Sequence, residues 1–141
     1  MKHDPSRLRQ EILRLEQART PHVQAILETR EPMRRGSFVT LHRKCGKPTC
    51  HCASVQGHPA KYLSLKDGGR TRLVYIGPAQ EVGFAETNGR YRRFRDNRAA
   101  IAKLSKAVLE LINRLEAALV LPDPKPATGR RGNGRGRQRV D

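Results

Sequence analysis

All three cysteines of this chain fall in one stretch of eight residues, CGKPTCHC, at positions 45, 50 and 52. Thiols this close together serve as metal ligands, as a redox or nucleophilic centre, or merely as small residues in a loop. Structural zinc sites take four ligands from Cys and His at tetrahedral positions. Cys45, Cys50 and Cys52 supply three of them, and Gly46 and Pro48 let the chain turn between them. His58 is best placed as the fourth, giving C-x4-C-x-C-x5-H; His42 is second, and His51, wedged between two ligands, is sterically awkward. The thiol reading has some physics, because nearby Lys and Arg lower a cysteine pKa. It lacks a partner, however, since no Asp or Glu lies between residues 32 and 66 to orient a histidine. Structural Zn2+ is therefore the favoured reading. The basic neighbours would offset the net negative charge of three thiolates around one dication.

The chain has 141 residues and a formal charge of +16, with a sequence pI near 11.0. Such a chain seeks polyanions, of which nucleic acid is the commonest in a cell. The charge is uneven: +1 over residues 1–31, +8 over 32–79, +3 over 80–121 and +4 over 122–141. The second of these segments holds nine basic residues against one acid, Asp67, and the cysteines lie inside it. Arg34, Arg35, Arg43, Lys44, Lys47, Arg70 and Arg72 are the candidate phosphate contacts, with Arg92, Arg93 and Arg95 extending them. DNA is favoured over RNA. In RYRRFRDNR, Tyr91 and Phe94 stand three apart, so they share a helix face and read as core, while some of the arginines reach phosphate. Gly134-Arg135-Gly136-Arg137 resembles the centre of an AT-hook, but Gln138 stands where that motif has Pro. Nonspecific binding by the tail is the simpler reading.

Other chemistries find little support. Neither GxxxxGK[ST] nor GxGxxG occurs. A metal-dependent nuclease would need clustered acids, and Glu81, Glu86 and Asp96 offer only a weak set. The remaining acids read as solvated helix faces. MKHDPSRLRQEILRL has no continuous apolar run, so neither a secretory signal nor a membrane span is expected there. A cytoplasmic location follows, where thiols stay reduced.

The elements that must position these residues form four segments. Residues 1–31 read as a helix capped by Asp4 or Ser6, with Pro5 in its first turn. Leu8, Ile12 and Leu15 form an apolar stripe that Val23, Ile26 and Leu27 resume. Pro21 predicts a kink or break near Thr20 with a second short helix after it. In residues 32–79, KYLSLK and RTRLVYIG flank Asp67-Gly68-Gly69, which predicts a hairpin from 61–66 to 70–76 with a third strand at 37–43. Residues 80–121 read as one long helix, with Asn88-Gly89 as a candidate break that would move its start to Arg90. Ile101, Leu104, Val108, Leu111 and Leu115 alternate steps of three and four, the signature of a heptad seam. Residues 122–141 read as a disordered basic tail. The fold class is α+β: N-terminal helix, small β-hairpin region with a zinc-knuckle-like loop, long C-terminal helix, tail. Hydrophobic residues are 36% of the chain and Trp is absent, so a metal or helix pairing must supplement a small core.

RRGSFVTLHRKCGKPTCHC, a following histidine, KYLSLKDGGRTRLVYIG and RYRRFRD together resemble a family of short bacterial proteins known as a domain of unknown function. The family's pattern runs R-G-S, C-G-K-P-x-C-x-C, H-G-P-Y, a strand ending in L-S, then T-R-x-V-Y. The likeness covers about residues 34 to 112. Gly57-His58-Pro59-Ala60 departs from H-G-P-Y, so the histidine remains in a different frame. The resemblance implies a fold of zinc-like loop, hairpin and long helix, and brings no activity.

The reading is a nonenzymatic, zinc-stabilised nucleic-acid-binding protein, an accessory factor in DNA mobility or regulation. Two rivals stand beside it. One is a protein-interaction adaptor that works through its helices, by a partner or a homodimer. The other is a subunit of a nucleic-acid-processing enzyme.

Overall fold

The computed structural model describes residues 4–129. Its elements run α1 (Pro5–Glu28), β1 (Ser37–Arg43), a short 3-10 turn (His51–Ala53), β2 (His58–Asp67), β3 (Arg70–Ile76) and α2 (Glu81–Leu119). The class is α+β, as predicted.

Asp4 caps α1, its carboxylate accepting from the Ser6 N–H at 3.0 Å, and Pro5 opens the helix. A cap of this kind stabilises a helix by about 1 kcal/mol. The helix then runs unbroken to Glu28 through Pro21, so the predicted second helix does not exist. Pro21 cannot donate to the Gln17 carbonyl. Both residues are exposed, however, so water can take the missing partner's place. The turn after the proline is held by packing: His22 and Val23 are half-buried, and His22 Nδ1 lies 2.9 Å from Asn97 Oδ1 on α2. Leu27 is 68% exposed and does not belong to the stripe; Ile26 does.

α1 and α2 pack against each other within the one chain. His22 meets Asn97, and Glu31, just past α1, meets Arg90 at 2.5 Å. Moving forward along the first helix thus means moving backward along the second, which makes the pair antiparallel. The predicted seam faces inward: Val108 is buried, Ile101, Leu104, Leu111 and Leu115 are half-buried, and Leu8 is buried on α1. The apolar steps of three and four keep one side of each helix turned to its partner.

Gly68 and Gly69 both have positive φ, and Asp67 pairs with Arg70 across them. That is the two-glycine hairpin turn the sequence announced. The three strands form one antiparallel sheet in the order β1-β2-β3. β2 begins at His58, three residues before the predicted start, because it pairs with the whole of β1 as far as Arg43. Residues opposite one another share a face. One face carries Phe38, Leu63, Leu65, Val74 and Ile76, with Leu63 and Ile76 each 2% exposed. The other carries Val39, Leu41, Tyr62, Leu73 and Tyr75.

α2 does not break at Asn88-Gly89. Asn88 is 2% exposed, and its side-chain amide donates to the carbonyls of Arg34 at 3.0 Å and Gly36 at 2.6 Å. The Arg34 N–H in turn donates to the Thr87 carbonyl at 3.0 Å. A residue that reads locally as a turn former therefore pins the helix to the entry of β1. Gly36 has φ +108, and a side chain there would run into the Ser64 carbonyl oxygen and the Leu63 and Leu65 side chains. Among the described residues no helix is long and apolar enough to cross a membrane.

Candidate functional site

Arg43 and His58 face each other at the last rung of β1 and β2, so residues 44–57 close that end of the sheet as a loop. Gly46 turns it with φ +79, and backbone bonds shape the rest. The Cys50 N–H donates to the Lys47 carbonyl at 3.1 Å, and the Ala53 N–H to the Cys50 carbonyl at 3.0 Å. The return leg passes through Gly57. A Cβ there would lie 2.3 Å from the Arg43 carbonyl carbon and 2.5 Å from the Lys44 nitrogen. Only glycine lets the two backbones touch, and the residue after it is His58.

The loop brings Cys45, Cys50, Cys52 and His58 together, with one ligand atom from each inside 4.8 Å of all the others. Cys45 Sγ is 3.4 Å from Cys52 Sγ, and Cys50 Sγ is 3.2 Å from His58 Nε2. A tetrahedral ion with bonds of about 2.3 Å to sulfur sets its donors about 3.8 Å apart, inside the range these atoms span. The donor set, three thiols and one imidazole, suits a borderline-soft dication, so the residues fit a metal. No other group of three or more His, Cys, Asp or Glu converges in this way among the described residues. His42 and His51 are not in the cluster.

The four donors differ in setting. Cys52 is 3% exposed, Cys50 is half-buried, and Cys45 and His58 are exposed. Cys45 is lowered to about 6, first by a hydrogen bond from the Lys47 backbone N–H and then by the Cys52, His58 and Cys50 side chains. Cys52 goes the other way. The Cys45 N–H, 3.5 Å away, favours its thiolate, but burial and the neighbouring sulfurs together outweigh that and push the thiol up. The loop thus presents one thiol that ionises readily and a second that a metal would have to deprotonate on binding.

The predicted phosphate contacts do not form one surface. Lys44 and Lys47 belong to the cysteine loop, where Lys44 Nζ donates to the Ala53 carbonyl at 3.3 Å. Arg43 lies over the Tyr62 ring at 5.1 Å. Arg35 lines a groove of about 310 Å³ with Lys66 and Tyr91. Arg34 stacks on Phe84 at 4.3 Å. Arg70 and Arg72 stand at the hairpin end, on the sheet face opposite Arg43. Arg92, Arg93 and Arg95 are exposed on α2, and Arg93 lines a second groove, of about 450 Å³, with Arg30, Arg90 and Phe94. Tyr91 and Phe94 are half-buried at different places, Tyr91 by the sheet and Phe94 by the end of α1. Glu81, Glu86 and Asp96 spread over about 22 Å of helix at 1.5 Å per residue, too far apart for a shared ion. Sequence reasoning missed Gly57 and Asn88; the only signal for the first is its place before His58. The tail motif Gly134-Arg135-Gly136-Arg137 lies outside the described residues.

Comparison with known proteins adds one finding. No curated protein and no solved structure matches the chain. A family profile described as a domain of unknown function (DUF6788) matches residues 6–84. The match takes in α1 from its second residue, the whole sheet and the cysteine loop, and it ends in the first turn of α2. It thus begins earlier and stops sooner than the likeness over residues 34 to 112. Since it spans more than half of the sequence, the chain belongs to the DUF6788 family.

Proposed function

We propose that this protein is a nonenzymatic nucleic-acid-binding protein whose β region is stabilised by zinc. The observation that carries the reading is the convergence of Cys45, Cys50, Cys52 and His58 within the most basic segment of the chain. Those four residues would hold the ion. It would cross-link the ends of β1 and β2 and supply no catalytic chemistry, because all four positions are taken by protein. The basic side chains around it, Arg43, Lys44 and Lys47, would then be fixed in place for phosphate, with DNA favoured over RNA. An accessory role in DNA mobility or regulation is the setting such a protein would fit, and a place as a subunit of a nucleic-acid-processing enzyme is its variant.

Two measurements test this. Elemental analysis of purified protein should give about one zinc per chain. Affinity for duplex DNA should fall steeply with salt, with a logarithmic slope of about −0.9 for each phosphate neutralised. Replacing Arg35, Lys44 and Lys47 together by Ala should weaken binding more than deleting residues 122–141. Binding carried wholly by the tail would defeat the reading for the folded region. One observation favours the adaptor: Leu13 on α1 and Leu109, Ile112 and Leu119 on α2 are all 43–60% exposed on the helix pair. A second copy or a partner helix would cover them, and light scattering of the purified protein decides whether a second copy does.

A further inference from the structure

We infer that the exposed face of the sheet binds single-stranded nucleic acid, with Tyr75 as a stacking platform for an unpaired base. The inference rests on the nucleic-acid reading above and names the form of the ligand.

The sheet has two unlike faces. One holds Leu63 and Ile76, each 2% exposed. On the other, Tyr75 is 59% exposed and Leu73 is 42% exposed, in the edge strand β3. Neighbouring Tyr62 is only 9% exposed. Its ring meets that of Tyr75 edge-on, with centroids 5.7 Å apart and planes at 66°. The contact holds the Tyr75 ring from one side and leaves much of it open to solvent. A ring fixed in this way loses little freedom when something stacks on it.

Positive charge brackets the ring along the strands, while Glu81 and Lys61, of opposite sign, line the shallow cavity beside it. Arg43, over Tyr62, stands at the cysteine-loop end of this face, and Lys66 stands near the hairpin end. Arg43 is level with His58 on β2, and Lys66 lies eight residues further along, about 26 Å at strand rise. Lys44 and Lys47 continue the charge into the cysteine loop. A basic track with an aromatic platform between its ends is how proteins hold a single strand without reading its sequence, since every base has a π-face. A duplex hides those faces in its own stack. Reading the bases of a duplex would also need an element that enters a groove, which a flat sheet face does not provide, so a duplex would be held by its phosphates alone. The complementarity between cationic ends and a polyanion selects nucleic acid as the occupant over an apolar protein segment.

The test uses the full chain with a fluorescent 20-nucleotide oligothymidine and a duplex of equal length, read by anisotropy at low salt. Tyr75→Ala should weaken oligothymidine binding about tenfold, within the range of one base–aromatic stack, and move duplex binding by less than about twofold. Tyr75→Phe should bind as the parent does. Tyr75→Leu, which keeps apolar area and loses the ring face, should behave like Tyr75→Ala. The melting temperature should be unchanged for Tyr75→Phe and should fall by a few degrees at most for Tyr75→Ala and Tyr75→Leu, which lose the edge contact with Tyr62. If Tyr75→Ala binds oligothymidine as well as the parent, the platform is wrong while the nucleic-acid reading stands. If Tyr75→Leu keeps full affinity, the face is an apolar docking surface and the stacking inference fails. If the parent binds neither probe, both readings fall.

Discussion

The helix pair and the sheet with its cysteine loop are held by different physics. α1 and α2 bury a repeating apolar seam, with Leu8 and Val108 at its driest points. The sheet buries one face around Leu63 and Ile76, leaves Tyr75 and Leu73 exposed on the other, and ends in a loop whose one deeply buried residue is Cys52. The helix pair has a seam of its own, and the bonds of Asn88 and Thr87 to residues 34–36 join it to the start of β1. A three-stranded sheet with half a core needs something more at its open end, and a metal ion held by the convergent Cys45, Cys50, Cys52 and His58 would supply it. The lesson is one of separable stability: the two parts should fail under different insults.

Metal removal is the strongest way to break that comparison. Binding to a structural zinc site is worth on the order of 10 kcal/mol and counts as folding energy. Chelation, or Cys50→Ser, should therefore expose the amides of residues 37–43 and 58–67 to hydrogen exchange while the helical circular dichroism is largely kept. Helices that melt together with the sheet would mean a single cooperative unit, and the division would collapse. Full thermal stability in metal-free protein would remove the metal from the account altogether.

The next effect strikes the other half. Val108 is 8% exposed, so Val108→Asp would place a carboxylate in the seam without a partner. A loss of several kcal/mol is expected, seen as a large fall in melting temperature. Metal content per folded molecule should not change. A variant that loses its zinc along with its helices would argue against independence.

What the sequence disclosed follows the same division. The seam was readable because five apolar residues repeat a period, and a period survives without knowledge of the neighbours. The hairpin was readable because Gly68 and Gly69 carry a turn by themselves. The three cysteines were readable by type. The errors arose where a distant group overrules a local rule. Asn88-Gly89 reads as a break, yet Asn88 bonds to the carbonyls of Arg34 and Gly36, more than fifty positions away. Pro21 reads as a stop, yet the helix continues on the strength of packing such as His22 against Asn97. KYLSLK alternates Tyr62, Ser64 and Lys66 with Leu63 and Leu65, and the strand puts these sets on its two faces, but which face stays open is decided by what packs on the other, and a strand's own residues do not record that. The arginines were counted along the chain, and the fold spreads them over both faces of the sheet and along α2.

A smaller effect sharpens the account of the loop. A Cβ on Gly57 would meet the Arg43 and Lys44 backbone at 2.3–2.5 Å, closer than any side chain can flex to relieve. Gly57→Ala should push His58 away from the sulfurs and weaken metal binding. Competition with a chromophoric chelator should reveal this as faster metal loss. The helix seam lies elsewhere, so the melting of the helices should be nearly unchanged. Equal metal affinity in the variant would show that His58 is not held by this close approach, and His58→Ala would then show whether the imidazole is a ligand at all.

The smallest effect on stability comes from protons, and its sign can be worked out. Cys45 is lowered to about 6 in the folded, metal-free loop, chiefly by the Lys47 N–H, against an unfolded cysteine at about 8.5. A folded value below the unfolded one means that the native loop prefers the thiolate. That contribution is complete above the unfolded value and is lost as pH falls through about 6. Cys52, pushed up by burial and its neighbouring sulfurs against the pull of the Cys45 N–H, contributes in the opposite sense. Metal-free protein at pH 7 should therefore be alkylated by iodoacetamide at Cys45 well before Cys52, and the Cys45 rate should drop as pH is taken below about 6, because the thiolate is the nucleophile. Mass mapping of the labelled peptides reads both. Metal-loaded protein should be slow at all three cysteines, with protection lost only as acid displaces the ion. Equal labelling of Cys45 and Cys52 without metal would mean that the loop folds only around the ion, so that the sheet lacks a formed end as well as half a core when the metal is gone.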